Sequence, residues 1–167
     1  MVPASMSQAT VPAQRETATV GPSVGELLAT PTLGMTLVAG AAGLGRRVSW
    51  AHVSELGDPT PWLQGSELLM TVGLAVPRRA QDQRSYVRLL DESGVAGLAI
   101  SEELFAPSIS KAMREEADVR GFPIVRVSLQ VPFITIAQEV AAHTQVAAQA
   151  RLATLLRLFG TLRGVAA

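Results

Sequence analysis

The residues able to do chemistry crowd into one stretch, Val48 to Gly73. His52, Glu55, Asp58 and Glu67 fall there with both tryptophans, Trp50 and Trp62, in a chain only 17% charged. Glu55 and Asp58 offer carboxylate acceptors for the N–H groups of an amide- or ureide-rich ligand. Trp62 offers a flat face for a heterocycle, and Thr71 and Gly73 mark a strand end where backbone can approach a ligand closely. His52, Glu55, Asp58, Thr60, Trp62, Thr71 and Gly73 are therefore the candidate ligand-binding residues. Each has a structural alternative. A lone histidine on a core-facing strand position is more often a packing residue than a ligand or base. Asp58, ahead of Pro59, suits capping the loop or a short helix over Pro59–Leu63. Trp62 suits closing the end of the sheet as core, the reading favoured here. Glu67 suits capping the amides of Gly65 and Ser66, and Gly73 a turn that needs glycine.

Catalysis is the competing chemistry. His52, Glu55 and Asp58 can be drawn as an acid, a base and an orienter, or as an oxygen and nitrogen metal site. The stretch has no second histidine, His143 lies far along the chain, and there is no nucleophile elbow. No enzymatic activity, metal or cofactor is expected.

The elements that must position these residues are two strands flanking a Pro-bounded loop. Val48, Trp50, His52 and Ser54 alternate with Ser49, Ala51 and Val53, the period-2 pattern of a strand. Glu67 to Val72 is a second, apolar strand closed by Gly73. Upstream, Ser23-Val-Gly-Glu26 is a capping box for a short helix that stops before Pro31. Thr36–Ala39 makes a first strand. The Gly40–Gly45 run lacks the ending of a phosphate-binding loop and reads as a tight connection; it is too short for a parallel crossover, so the strand from Val48 is expected to return antiparallel. Arg46 and Arg47 read as solvated turn charges.

Downstream, Arg79–Ser93 predicts a helix with Gly94 at its C-cap. Val95–Ile100 predicts a strand buried on both faces, Pro107–Arg120 a helix, and Phe122–Val127 a last strand. Alternating strands and helices at this spacing imply right-handed crossovers. The fold class is α/β: a mixed, mainly parallel sheet of about five strands, helices on both faces, and a long C-terminal helix from Pro132. Ligands of such sheets sit beyond the carboxyl ends of strands. Here those ends are Ser54-Glu55, Thr71–Gly73, Ser101-Glu102 and Ser128, and Arg126 near the last of them is a candidate anion partner. In the long helix, Leu152, Leu155, Leu156, Phe159 and Leu162 recur at three- and four-residue spacing, close to a coiled-coil seam. They are the candidate dimerisation residues, with a second copy of the chain as the simplest partner.

With 167 residues the chain is expected to hold one domain. Met1 to Pro22 has no periodicity and reads as a disordered leader; 23–131 reads as the α/β unit and 132–167 as a linker or dimerisation helix. There is no cysteine, which excludes thiolate metal sites and a cysteine nucleophile and fits a reducing compartment. Fourteen basic and fourteen acidic residues balance, leaving no electrostatic footprint for nucleic acid. No run approaches the roughly 18 apolar residues of a membrane span. A cytoplasmic protein with no membrane association is expected.

Several motifs occur together and in order: Val38-Ala-Gly-Ala-Ala-Gly-Leu44, Arg47-Val48-x-Trp50-x-His52-Val53-Ser54-Glu55, Asp58-Pro59-x-Pro61-Trp62-Leu63 and Gly65-x-Glu67-Leu68-Leu69-x-Thr71-x-Gly73. Gly94-Val-Ala-Gly-Leu98 and Val131-Pro-Phe-Ile134 follow. From about Val24 to Glu139 the sequence resembles the N-terminal domain of the PucR family of bacterial transcriptional regulators, named for purine catabolism. It departs from the family at Gly65-Ser66, where paired glycines are common, and at Thr71-Val72, where paired threonines are. The resemblance implies a sensory domain whose effector is a small nitrogenous metabolite. It also implies DNA binding through a C-terminal helix-turn-helix, for which nothing after Pro132 supplies the parts.

Overall fold

The computed structural model describes residues 21–102 and 104–165, with side chains to residue 158. The expected leader, 1–22, thus lies outside the described residues except for Gly21 and Pro22. Five strands form one sheet: β1 (Met35–Ala39), β2 (Trp50–Val53), β3 (Glu67–Thr71), β4 (Gly97–Ser101) and β5 (Ile124–Val127). Their order across the sheet is β1-β5-β4-β3-β2. Strands β2 to β5 run parallel, and β1 is antiparallel to β5. The fold is the expected mixed, mainly parallel α/β sheet.

Strands β3 and β4 are buried at every position because helices cover both faces. Leu69, Leu98, Ile100 and Ile124 face α2 (Ala80–Glu92) and α3 (Lys111–Arg120), where Tyr86, Val87, Leu90, Met113 and Ala117 pack. Leu68, Met70, Ala99, Val125 and Val127 face α1 (Val24–Leu28) and the start of α4 (Phe133–Val165), through Val24, Leu27, Ile136 and Val140. The capping box forms as read: Ser23 Oγ accepts from the Glu26 amide at 3.0 Å, and Glu26 Oε2 accepts from the Ser23 amide at 2.6 Å. The Ser23 amide, with Arg47 nearby, holds the Glu26 carboxyl below its ordinary range.

Three expectations need correction. First, β2 runs antiparallel to β1 as expected but does not pair with it; the two strands occupy opposite edges of the sheet. Four inter-strand spacings amount to roughly 19 Å, well within the roughly 33 Å that the ten residues from Gly40 to Ser49 can span. The glycines let this connection lie flat against the chain entering β5. A Cβ on Gly40 would sit 1.9 Å from the Phe122 carbonyl oxygen, and one on Gly43 1.9 Å from that of Gly121. Second, Arg46 is a structural pin, not a solvated charge. Its guanidinium donates to Asp91 Oδ1 at 2.7 Å and to the carbonyls of Val95 and Arg120, and it lies 5.5 Å from the Phe122 ring centre. Third, the helix expected from Pro107 begins at Lys111, with the Ser110 hydroxyl accepting from the Met113 amide at 3.1 Å.

Candidate functional site

The carboxyl ends of the four parallel strands meet at one end of the sheet; the β2–β3 loop leaves from that end and crosses to the amino end of β3. Glu55, just past β2, reaches to the end of β3. Its Oε2 accepts from the Thr71 hydroxyl at 2.7 Å and the Ala75 amide at 3.2 Å, and its Oε1 accepts from the Val72 amide at 2.6 Å. The Thr71 oxygen in turn accepts from the Gly73 amide at 2.9 Å. One carboxylate thus ties two strand ends together, a favourable charge-assisted arrangement.

Asp58 works locally. Its Oδ1 accepts from the amide and hydroxyl of Thr60, at 3.0 and 2.6 Å, and so opens the 3₁₀ turn Thr60–Trp62. Glu67, only 6% exposed, fixes the far end of the loop by accepting from the amides of Gln64 and Gly65 at 2.6 and 2.8 Å. The Ser66 amide, expected to share that cap, donates to the Gly94 carbonyl. The structure therefore brings Glu55, Thr71 and Gly73 into one hydrogen-bonded group and Asp58 and Thr60 into another. No hydrogen bond joins the two groups among the described residues.

Trp62 is not core: it is 66% exposed, and the next residue, Leu63, packs on the α2/α3 side instead. Trp50 is 57% exposed because β2 is an edge strand, while His52 beside it is half-buried and pairs with Leu69. Gly73, at φ 106°, has the chain's own backbone against it; an added Cβ would lie 2.2 Å from the Ala106 nitrogen. Among the described residues no group of histidines and carboxylates is arranged to hold a metal.

Two residues that shape this end of the fold were not among the site candidates. Gln83 is fully buried; its Nε2 donates to the carbonyls of Pro77 and Ser108 at 2.9 and 3.1 Å, and its Oε1 accepts from the Ser110 amide at 2.8 Å. It clasps the loop after β4 to the loop after β3. The signal was present, since Gln83 is the polar member of the helical stripe Gln83, Tyr86, Val87 and Leu90. The Tyr86 hydroxyl is buried without an acceptor among the described residues. Burial, and then the negative charge of Glu55, push its acidity far below that of an ordinary phenol.

Past Ala150 every described side chain of the long helix is exposed. Leu152, Leu155 and Leu156 are 58%, 51% and 63% exposed. The side chains of Phe159 and Leu162 lie outside the described ones. No helix among the described residues is long and apolar enough to cross a membrane.

An α/β unit with its strand ends tied by carboxylates, a long helix following it, and these motifs in order is a domain of a family of regulators. Residues 26–144 match the Purine catabolism regulatory protein-like family, PucR, and the chain belongs to it. Among curated proteins it is 41% identical over 137 residues to the transcriptional activator PmfR of Paenarthrobacter nicotinovorans, covering 82% of this chain and 29% of that protein. It is 27% identical over 107 residues to the purine catabolism regulatory protein of Bacillus subtilis (strain 168), covering 64% of this chain and 20% of that one. The chain thus spans less than a third of the length of either relative.

Proposed function

We propose that this chain is the ligand-sensing module of a cytoplasmic bacterial transcriptional regulator, binding a small nitrogenous metabolite and taking no part in catalysis. On this reading 1–22 is a leader, 23–131 the sensing unit, and 132–167 the segment that dimerises and passes the signal on. DNA is contacted only through a helix-turn-helix outside this chain. The observation that carries the reading is the β2–β3 loop: Glu55 fastens its start at the carboxyl end of the sheet, Glu67 fastens its return to the amino end of β3, and between them it exposes the Trp62 ring. A tied loop with an open aromatic face is preorganised for a planar ligand. The proposed seat comprises His52, Glu55, Asp58, Thr60, Trp62, Thr71 and Gly73. Glu55 and Asp58 serve mainly by holding the loop, since both already accept hydrogen bonds from it or from β3.

A ligand that draws the Glu55–Ser66 loop in would shift the seating of α4, which contacts β2. That requires different affinity for two conformations. A thermal-shift panel of purines, ureides, amino acids and polyamines tests the sensing step, because a ligand at a hundred times its dissociation constant adds about 2.7 kcal/mol. A hit lost in Trp62→Ala supports the seat. Equal protection of α4 from hydrogen exchange with and without that ligand would rule out the relay.

The exposed Leu152, Leu155 and Leu156 favour a second reading, a dimerisation module with no ligand. A dimer that survives dilution but dissociates in Leu155→Glu, together with an empty panel, would move the assignment there.

A further inference from the structure

We propose that the cavity at the carboxyl ends of β4 and β5 is an anion seat, built to take the carboxylate of a small metabolite whose N–H group reaches Glu102. The cavity measures about 240 Å³ and is lined by Ser101, Glu102, Ala106, Ser108, Ile109 and Arg126, among others. That is smaller than the roughly 300–1,000 Å³ of drug-sized pockets, a size that suits a metabolite.

Arg126 carries the inference. It shares the sheet face of Ile124 and Ile100, and it is half-buried. Among the described residues no carboxylate comes within ion-pair distance of its guanidinium, and no side-chain hydrogen bond holds it. The other half-buried arginines among the described residues all have carboxylate partners: Arg46 and Arg120 pair with Asp91, and Arg84 lies 3.8 Å from Glu116. A partly buried guanidinium left unpaired is costly unless something anionic meets it, and its planar fork matches a carboxylate. Glu102 lines the same cavity with its carboxylate unengaged among the described residues, so the site presents a cation and an anion to one occupant. The wall is rigid: Gln83 fixes Ser108 and Ser110 from behind, and Ala106 is wedged against Gly73. By contrast, the carboxylates of the β2–β3 loop are occupied by their own backbone. The inference deepens the sensing reading and rests on it for its biological meaning, but it names a different group of residues.

The test is a two-dimensional amide NMR titration of the whole chain at constant ionic strength. The probes are N-acetylglycine, which has a carboxylate and an N–H, acetate, acetamide and inorganic phosphate. The expected result is that N-acetylglycine shifts amides of 101–102, 106–109 and 126–128, acetate does so more weakly, and acetamide and phosphate leave them unchanged. Arg126→Gln should weaken N-acetylglycine about tenfold or more, and Arg126→Lys, which keeps the charge without the fork, by less. Glu102→Gln should reduce its advantage over acetate. Unchanged affinity in Arg126→Gln, or phosphate binding as well as N-acetylglycine, overturns the proposal. Shifts confined to residues 52–62 would overturn it too while leaving the sensing module intact.

Discussion

Removing the Glu55 carboxylate would strand three donors at once: the Thr71 hydroxyl and the amides of Val72 and Ala75. Glu55→Ala is expected to cost about 2–3 kcal/mol in urea denaturation, and Glu55→Gln, which keeps one carbonyl acceptor, about 1 kcal/mol. Equal losses would mean that the charge, not the acceptor geometry, does the holding. Gly73→Ala should also destabilise by more than about 1 kcal/mol, because φ 106° disfavours a side chain and Ala106 fills the space. At this scale the sequence placed carboxylates at the strand ends and left their roles open. Spacing put Glu55 and Thr71 at adjacent strand ends, and Asp58 before Pro59 foretold a local cap. It could not show that Trp62 faces out, because a loop turns one of two adjacent apolar residues inward and Leu63 took that place. Arg46 was opaque for the same kind of reason: its partners lie in segments 45 to 74 residues away.

Among the elements, α2 and α3 are joined by an ion cluster centred on Glu116, which accepts from Arg88 Nε and Arg120 Nε at 2.7 Å each. The hydrogen bonds from Arg88 and then Arg120 lower the Glu116 carboxyl to about 2. The folded state therefore holds this proton more weakly than the unfolded chain, whose carboxyl titrates near 4.5. The resulting stabilisation is complete above that ordinary value and fades as pH falls toward 2. Glu116→Gln should lower the melting temperature at pH 7 by a few degrees, corresponding to about 1–2 kcal/mol, and the two proteins should converge near pH 2. A constant gap across that range would assign the loss to packing. The far part of α4 behaves differently: residues 151–158 are exposed, so a chain ending at Ala150 should unfold within about 0.5 kcal/mol of the full chain. Helices and strands were legible because capping, periodicity and glycine stops are local signals. The start of α3 was misplaced because Ile109 keeps helical spacing with Ala112 and Met113, while Gln83 holds its neighbours Ser108 and Ser110 in an extended loop.

For the molecule as a whole, composition and alternation were enough for a parallel sheet covered on two faces, and they said nothing about which strands take the edges. That choice depends on the Gly40–Ser49 connection running along the amino ends of three strands, a path fixed by contacts with Gly121 and Phe122. One consequence concerns the order in which the chain is made. Thr36 pairs with Arg126, so β1 leaves the ribosome 90 residues ahead of its only strand partner among the described residues. At the usual pace of translation that wait lasts on the order of 10 s. Through that interval Met35, Leu37 and Ala39 have no sheet to join, and the nascent domain depends on whatever shields them. The N-terminal strand is first to be synthesised and among the last to be secured. A fragment ending at Arg120 is accordingly expected to lack a cooperative unfolding transition, although it contains four of the five strands.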